Sequence, residues 1–153
     1  MNSYPDIVIE NINNNSVNFV VDNIDHTTIQ KSDIHGYGLV ATKNIDKGDV
    51  LCILDGQIVS WDSYNDIAST NPFGKFNDYL FMEWNALDYN VLMVRPFRTK
   101  YSFINHSRAP NLTLRRYPVV VLALHSIHAG EELTLDYRNE PLSKKYIKEA
   151  TYL

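Results

Sequence analysis

The most informative stretch of the sequence reads Phe103-Ile104-Asn105-His106-Ser107-Arg108-Ala109-Pro110-Asn111. In this Asn-His stretch, an apolar pair suited to anchoring in a core precedes side chains with several hydrogen-bond donors and acceptors. By composition alone, a polar turn whose geometry is set by Pro110 is the better interpretation. The function of these residues therefore has to be judged together with the sequence around them.

Toward the N-terminus lies a glycine stretch, Ser32-Asp33-Ile34-His35-Gly36-Tyr37-Gly38. Two glycines that flank one residue allow backbone conformations closed to other residues, and they let the main chain approach a ligand closely. A β-bulge between two strands explains the same pattern. A dinucleotide-binding fingerprint is excluded, because the third glycine and the following helix are missing.

Toward the C-terminus, a third stretch reads Ala129-Gly130-Glu131-Glu132-Leu133-Thr134-Leu135-Asp136-Tyr137. Neighbouring residues of a strand point to opposite faces, which disfavours Glu131 and Glu132 as a catalytic acid pair. We expect both to be solvated charges of a turn.

The remaining sequence predicts short strands separated by turns and very little helix. Ser60 is positioned to cap one short helix that ends before Pro72, and residues 85–90 are expected to connect two paired strands. The predicted strands are 29–32, 39–42, 50–54, 79–82, 91–94, 118–124 and 133–135.

Composition limits the class of protein. The chain has 153 residues, of which 44% are apolar and 21% charged, which is typical of one globular domain. A net charge of -4 argues against direct nucleic-acid binding and suits a basic partner. We expect no membrane segment and no export signal, because no long apolar run occurs.

The metal-ligating side chains are few. Cys52 is the only cysteine, which excludes a disulfide framework and a thiolate zinc cluster and favours a reducing, intracellular compartment. His125 and His128 would diverge on a strand and turn. No metal site is predicted.

In order and spacing, the three stretches resemble those of the SET-domain protein lysine methyltransferases. Lys47-Gly48 before an apolar strand and Asp78-Tyr79-Leu80-Phe81 match further strands of that family. The resemblance covers residues 28–140 and implies a mainly β fold, a β-clip of several small sheets with a C-terminal pseudoknot. Residues 1–27 would be a polar lead-in with one edge strand, and residues 141–153 a tail that closes the site.

The resemblance also implies an activity, the transfer of a methyl group from S-adenosyl-L-methionine to a lysine of a protein, either a histone tail or another basic protein. Catalysis would depend on Tyr137 and on Tyr79, with core packing of an aromatic strand residue as the alternative for Tyr79. Phe103 and Leu135 would line the channel for the lysine. The residues implied to bind the cofactor are His35, Gly36, Tyr37, Gly38, Asn105 and His106. A non-catalytic peptide-binding module with the same fold is the alternative.

Two departures from the family bear on these expectations. Arg108 stands where many members have a zinc-binding cysteine, and in this the chain resembles small zinc-free bacterial and viral members. Without that zinc, the outer wall of the channel would come from the C-terminal tail or from a second subunit of a homodimer. If it comes from the tail, Tyr146 or Tyr152 would cover the adenine. An exported effector that acts on host chromatin is compatible with that resemblance. Leu135 stands where several members have Tyr or Phe, which implies di- or trimethylation, unless a one-residue slip turns Leu135 toward the core.

Overall fold

The computed structural model describes residues 20–70, 83–142 and 148. In this part of the chain, short strands account for most of the regular structure. They are β1 (Val20–Val21), β2 (Thr27–Lys31), β3 (Tyr37–Ala41), β4 (Val50–Leu54), β5 (Gln57–Ser60), β6 (Glu83–Asp88), β7 (Val91–Arg95), β8 (Arg98–Thr99), β9 (Asn105–His106), β10 (Leu112–Arg115), β11 (Val119–Ala123) and β12 (Thr134–Leu135). The helices are α1 (Trp61–Thr70) and the 3-10 helices Lys100–Phe103 and Tyr137–Asn139.

These strands form several small sheets, which confirms the predicted mainly β architecture. Strands β2 and β3 make an antiparallel hairpin, and two three-stranded antiparallel sheets have the orders β10-β11-β4 and β5-β7-β6. Two further pairs are parallel, β1 with β8 and β9 with β12. Such short strands cannot each bury a full face, so the sheets pack around a shared core.

The main hydrophobic core joins residues from both ends of the chain. Ile24, Leu39, Val121 and Leu133 are completely inaccessible to solvent within it. Ile24 and strand β1 belong to the predicted polar lead-in, yet they pack with the strands that follow. Burial of large apolar side chains is the dominant stabilising term in such a core.

The predicted short helix is present and has the expected cap. The hydroxyl of Ser60 accepts a hydrogen bond from the Ser63 backbone N–H at 3.0 Å, and α1 starts at Trp61. Pro72 lies outside the described residues. Among those residues, no helix has both the length and the apolar character needed to cross a bilayer.

The predicted connection over residues 85–90 is wrong for most of its length. Strand β6 extends through Asp88 and pairs with β7, so only the turn at Tyr89 and Asn90 connects them. The polar residue Asn85 suggested a loop, but its side chain is 1% exposed and accepts a hydrogen bond from Arg95. The predicted strand 79–82 lies outside the described residues.

Strand β12 is the element that brings the C-terminal stretch to the Asn-His stretch. It runs parallel to β9, with Thr134 beside Asn105 and Leu135 beside His106. Parallel neighbours require a long connection, and here most of the sheet β10-β11-β4 lies between the two strands in sequence. The C-terminal pseudoknot implied by the resemblance would bring the C-terminal stretch against the Asn-His stretch, and in the structure the two lie side by side.

Candidate functional site

The three stretches meet at the side chain of Asn105. Its amide nitrogen lies 2.7 Å from Oε1 of Glu132, in the C-terminal stretch. The same nitrogen lies 3.1 Å from the carbonyl oxygen of His35 and 3.2 Å from that of Tyr37, both in the glycine stretch. One half-buried amide therefore fixes the relative positions of segments that are far apart in sequence.

The interpretation of Glu132 as a solvated turn charge is wrong. Its two carboxylate oxygens accept from the Ser32 hydroxyl at 2.8 and 2.9 Å, and one also accepts from Asn105. Its neighbour Glu131 is exposed and accepts the His128 backbone N–H, as expected for a turn. Strand alternation separates the two carboxylates, and it turns Glu132 toward the glycine stretch.

The two glycines of the glycine stretch have different roles. Gly36 has a φ of +52°, which L-residues rarely adopt, and a Cβ added there would meet nothing within 4 Å. A Cβ on Gly38 would lie 2.2 Å from Oε1 of Glu132. A glycine is thus required at position 38 because the Glu132 carboxylate approaches the main chain closely. Neither of the two interpretations of the glycine stretch, a β-bulge or a close approach to a ligand, included this reason.

His106 and Tyr137 form the second half of the site. The backbone N–H of Tyr137 donates to Nδ1 of His106 at 3.2 Å, and the two rings lie 5.3 Å apart. Because Nδ1 accepts this bond, the ring hydrogen of the neutral imidazole belongs on Nε2. Nε2 is buried, and it has no hydrogen-bond partner in the described part of the chain. The hydroxyl of Tyr137 donates to the carbonyl oxygen of Ile104.

Asp136 holds the backbone beside Tyr137. Its carboxylate caps the 3-10 helix Tyr137–Asn139 by accepting the Arg138 backbone N–H at 3.0 Å. Hydrogen bonds from the Arg138 side chain lower the pKa of Asp136 to about 2. The carboxylate is therefore ionised throughout the neutral range, and Arg138 balances its charge.

The two residues expected in the substrate channel are buried. Phe103 is 6% exposed and Leu135 is 4% exposed, and both belong to the main core. Leu135 also lines a cavity between β10, β12 and the residues that follow β12. Their role in a channel stays a prediction. Tyr79, Tyr146 and Tyr152 lie outside the described residues.

A buried polar network beside the site was missed by the sequence analysis. Glu83 and Arg95 face each other across β6 and β7, and their side chains pair at 2.6 Å. The Glu83 carboxylate also accepts from the hydroxyls of Thr99 and Ser102, the latter in the 3-10 helix Lys100–Phe103. Opposite charges on paired strands were a signal that could have revealed the ion pair.

A further carboxylate, that of Glu140, lies half-buried just after the C-terminal stretch. It accepts hydrogen bonds from the Ala86 backbone N–H and from the hydroxyl of Tyr101, a buried residue of the same 3-10 helix. Burial raises the pKa of Glu140 to about 7. Within the described residues, no three His, Cys, Asp or Glu side chains lie together as a metal site requires.

Comparison with known proteins supports the relationship indicated by the motifs. A family profile described as "SET domain" matches residues 36–138, which is more than half of the chain. The human histone-lysine N-methyltransferase 2B is 31% identical over 122 residues, which cover 72% of this chain and 4% of that protein. A Schizosaccharomyces pombe histone-lysine N-methyltransferase, H3 lysine-4 specific, is 34% identical over 70% of this chain and 12% of its own length.

Solved structures share the fold at lower sequence identity. The Neurospora SET domain protein DIM-5, a histone lysine methyltransferase, superposes with a TM-score of 0.57 at 19% identity, over 77% of this chain and 54% of that one. The chain spans a small part of the curated relatives that it matches. The family profile covers the Asn-His stretch and the C-terminal stretch in full, and the glycine stretch from Gly36 onward. The profile match, the relatives and the meeting of the three motifs around Asn105 together show that this chain belongs to the SET-domain family.

Proposed function

We propose that this chain transfers the methyl group of S-adenosylmethionine to a lysine side chain of a protein substrate. The observation that carries the proposal is the joining of the glycine stretch, Asn105 and Glu132 beside His106 and Tyr137. A scaffold for peptide binding alone would not need this set of residues in one place. The family membership and the names of the relatives support the same activity.

The residues present fit S-adenosylmethionine. The turn at His35 and Gly36 is exposed, and nothing lies within 4 Å of where a Gly36 side chain would begin, so the main chain there is open to a ligand. Nε2 of His106 is a buried donor without a partner among the described residues, and a bound acceptor would satisfy it. When bound, the cofactor supplies a methyl group already activated by its sulfonium.

Tyr137 would orient the substrate amine. Its hydroxyl donates its hydrogen to the Ile104 carbonyl, so toward the substrate amine its oxygen would act as a hydrogen-bond acceptor. Its backbone is held by His106, and the next residue is held by the Asp136 cap. A phenol fixed from both ends suits in-line alignment, which is most of what this reaction requires of a protein.

The substrate would be a basic protein. The net charge of -4 favours a basic partner, and histone tails are the first candidates because the relatives are histone-lysine methyltransferases by name. The proposal places the protein inside a cell and leaves the outer wall of the channel to residues 141–153 or to a second subunit of a homodimer. It requires no zinc.

Calorimetry with S-adenosylmethionine, followed by transfer assays, tests this function. The protein is incubated with core histones and with a mixture of basic proteins, using cofactor that carries a deuterated methyl group, and the products are mapped by mass spectrometry. We expect labelled lysine in wild-type reactions and a large loss with Tyr137→Phe. Cofactor binding without any labelled lysine would favour the non-catalytic module instead.

A further inference from the structure

A cavity opens beside the residues expected to line the lysine channel. The residues that line it include the leucines Leu112, Leu114 and Leu135 and the acidic residues Asp136 and Glu140. Leu135 connects this cavity to the site, because it pairs with His106 across the parallel strands. The cavity therefore combines apolar residues suited to contact with an alkyl chain and acidic residues in one lining.

The Glu140 carboxylate is held by three different elements. Ala86 of β6 donates its backbone N–H, and Tyr101 of the 3-10 helix Lys100–Phe103 donates its hydroxyl. Arg116, at the turn between β10 and β11, contributes a nearby positive charge while it donates to the carbonyl oxygens of Asn139 and Ala86. The acid is thus held by neighbouring groups, and Glu140 is one of the residues that line the cavity.

The other ionisable groups around the cavity are not suited to exchange protons near neutral pH. Asp136 is paired with Arg138, with Nη2 and Oδ2 2.5 Å apart, and its pKa is lowered to about 2. Burial, with the charge of Glu140, raises the pKa of Tyr101 well above its usual value. The Arg116 side chain is a hydrogen-bond donor only. Glu140 is the group there whose pKa, about 7, lies in the neutral range.

We propose that Glu140 accepts the proton that the substrate lysine must lose before it is methylated. This role rests on the proposed methyltransferase function. The ammonium gives one proton to the Glu140 carboxylate, and the freed lone pair of the amine forms the new N–C bond with the methyl group. The electrons of the broken C–S bond stay on sulfur, which becomes a neutral thioether. The Glu140 carboxylic acid then returns its proton to water through the cavity.

The surroundings suit a proton acceptor. A base is most effective when its pKa lies near the working pH, and burial brings that of Glu140 to about 7. The leucines that line the cavity and the cofactor's positive charge would both disfavour the ammonium form of the lysine. Together these effects bring the pKa of the substrate lysine closer to that of Glu140, so transfer of the proton from the lysine to Glu140 becomes less unfavourable.

The first test compares pH profiles of methyl transfer to core histones. Glu140→Gln keeps the shape of the protonated acid but cannot accept a proton. We expect a loss of about 10²-fold at pH 7.5, with the loss shrinking as pH rises toward the reference lysine pKa of about 10.4, where free amine is available without a base. Glu131→Gln, an exposed carboxamide on a turn, is the matched control and should follow the wild-type profile.

A second variant tests the same group without removing it. Tyr101→Phe deletes a hydrogen bond that stabilises the Glu140 carboxylate, so the rising limb of the profile should move to higher pH. Two results would overturn the proposal. One is a loss of methyl transfer in Glu140→Gln that is equal at every pH, and the other is a rising limb of the pH profile that does not move in Tyr101→Phe.

A measurement on the protein without cofactor separates this proposal from the proposed function. Because the pKa of Glu140 is raised from 4.5 to about 7 on folding, its contribution to stability is full below pH 4.5 and is lost as pH rises through 7. Between pH 4.5 and a pH above 7, the melting temperature of the wild-type protein should therefore fall more than the melting temperature of Glu140→Gln. Equal falls would overturn the proposal, whereas a clear difference with no labelled lysine in any wild-type reaction would overturn the proposed function.

Discussion

Replacing Glu132 with alanine should destabilise the protein far more than its position on a charged turn suggests. The carboxylate accepts from the Ser32 hydroxyl at 2.8 Å and from the Asn105 amide at 2.7 Å. In the variant, the hydroxyl and the amide lose a charged acceptor in a half-buried position. The Asn105 amide can still donate to the Tyr37 carbonyl oxygen, 3.2 Å away, so one of its hydrogen bonds to the glycine stretch remains.

The size of the effect follows from these contacts. A hydrogen bond to a charged group contributes about 1.5–3 kcal/mol, and we take the lower end for each of the two because the cluster is half-buried. The loss is then about 3 kcal/mol in the free energy of unfolding. For a chain of this length that corresponds to a fall of about 6–12 °C in melting temperature.

Thermal unfolding followed by circular dichroism measures this directly. Glu131→Ala is the matched control, because the same side chain is removed from an exposed neighbour, and it should change the free energy of unfolding by less than about 0.5 kcal/mol. Glu132→Gln keeps one acceptor oxygen and should fall between the two. Equal melting temperatures for Glu132→Ala and Glu131→Ala would refute the reasoning that this carboxylate links the stretches.

Three further predictions concern the reaction. Tyr137→Phe should lower methyl transfer by on the order of 10²-fold and leave cofactor affinity nearly intact, because only positioning of the amine is lost; unchanged turnover would remove Tyr137 from the mechanism. Asn105→Ala should lower the melting temperature and also weaken cofactor binding, and a mutant that still shows the wild-type thermal shift with S-adenosylmethionine would have a structural defect alone. Wild-type protein should add two or three methyl groups to its favoured lysine, because Leu135 offers no hydroxyl to hold a monomethyl amine; intact-mass analysis that finds only the monomethyl product would contradict this.

The local elements of the fold were predictable where the sequence carries a strong local signal. Ser60 is a good N-cap, and α1 starts directly after it. The apolar run 50–54 is strand β4 as predicted. Strand β6 was not predicted, because Asn85 and Asp88 are residues typical of turns, and only the partner strand, with Arg95 donating to Asn85, makes a strand favourable there.

The site was predictable only where the motifs themselves carry the functional groups. Asn105, His106 and Tyr137 were identified from the resemblance, and the structure brings them together. Glu132 and Glu140 were missed because a carboxylate on a turn is normally solvated, and nothing local distinguishes one that a distant hydroxyl satisfies. Their partners, Ser32 and Tyr101, come from other parts of the chain. Hydrogen bonds between residues far apart in the sequence produce no periodic pattern from which they could be predicted.

The hydrogen bonding of Asn105 limits how it can act on a cofactor. Its amide nitrogen has two hydrogens, yet four acceptors lie between 2.7 and 3.2 Å from it, namely the carboxylate of Glu132, the hydroxyl of Ser32 and the carbonyls of His35 and Tyr37. A ligand would have to displace one of these to be bound by the side chain.

The amide is therefore better suited to holding the glycine stretch in place than to binding the cofactor directly. On the proposed function, we expect contacts with the cofactor to come from the main chain that Asn105 positions, at the open turn around Gly36. On this account, the effect of Asn105→Ala on cofactor affinity arises because the carbonyls of His35 and Tyr37 lose their common donor. In the variant, the glycine stretch therefore becomes ordered only when the cofactor binds, which weakens binding, whereas in the wild-type protein it is already ordered on folding.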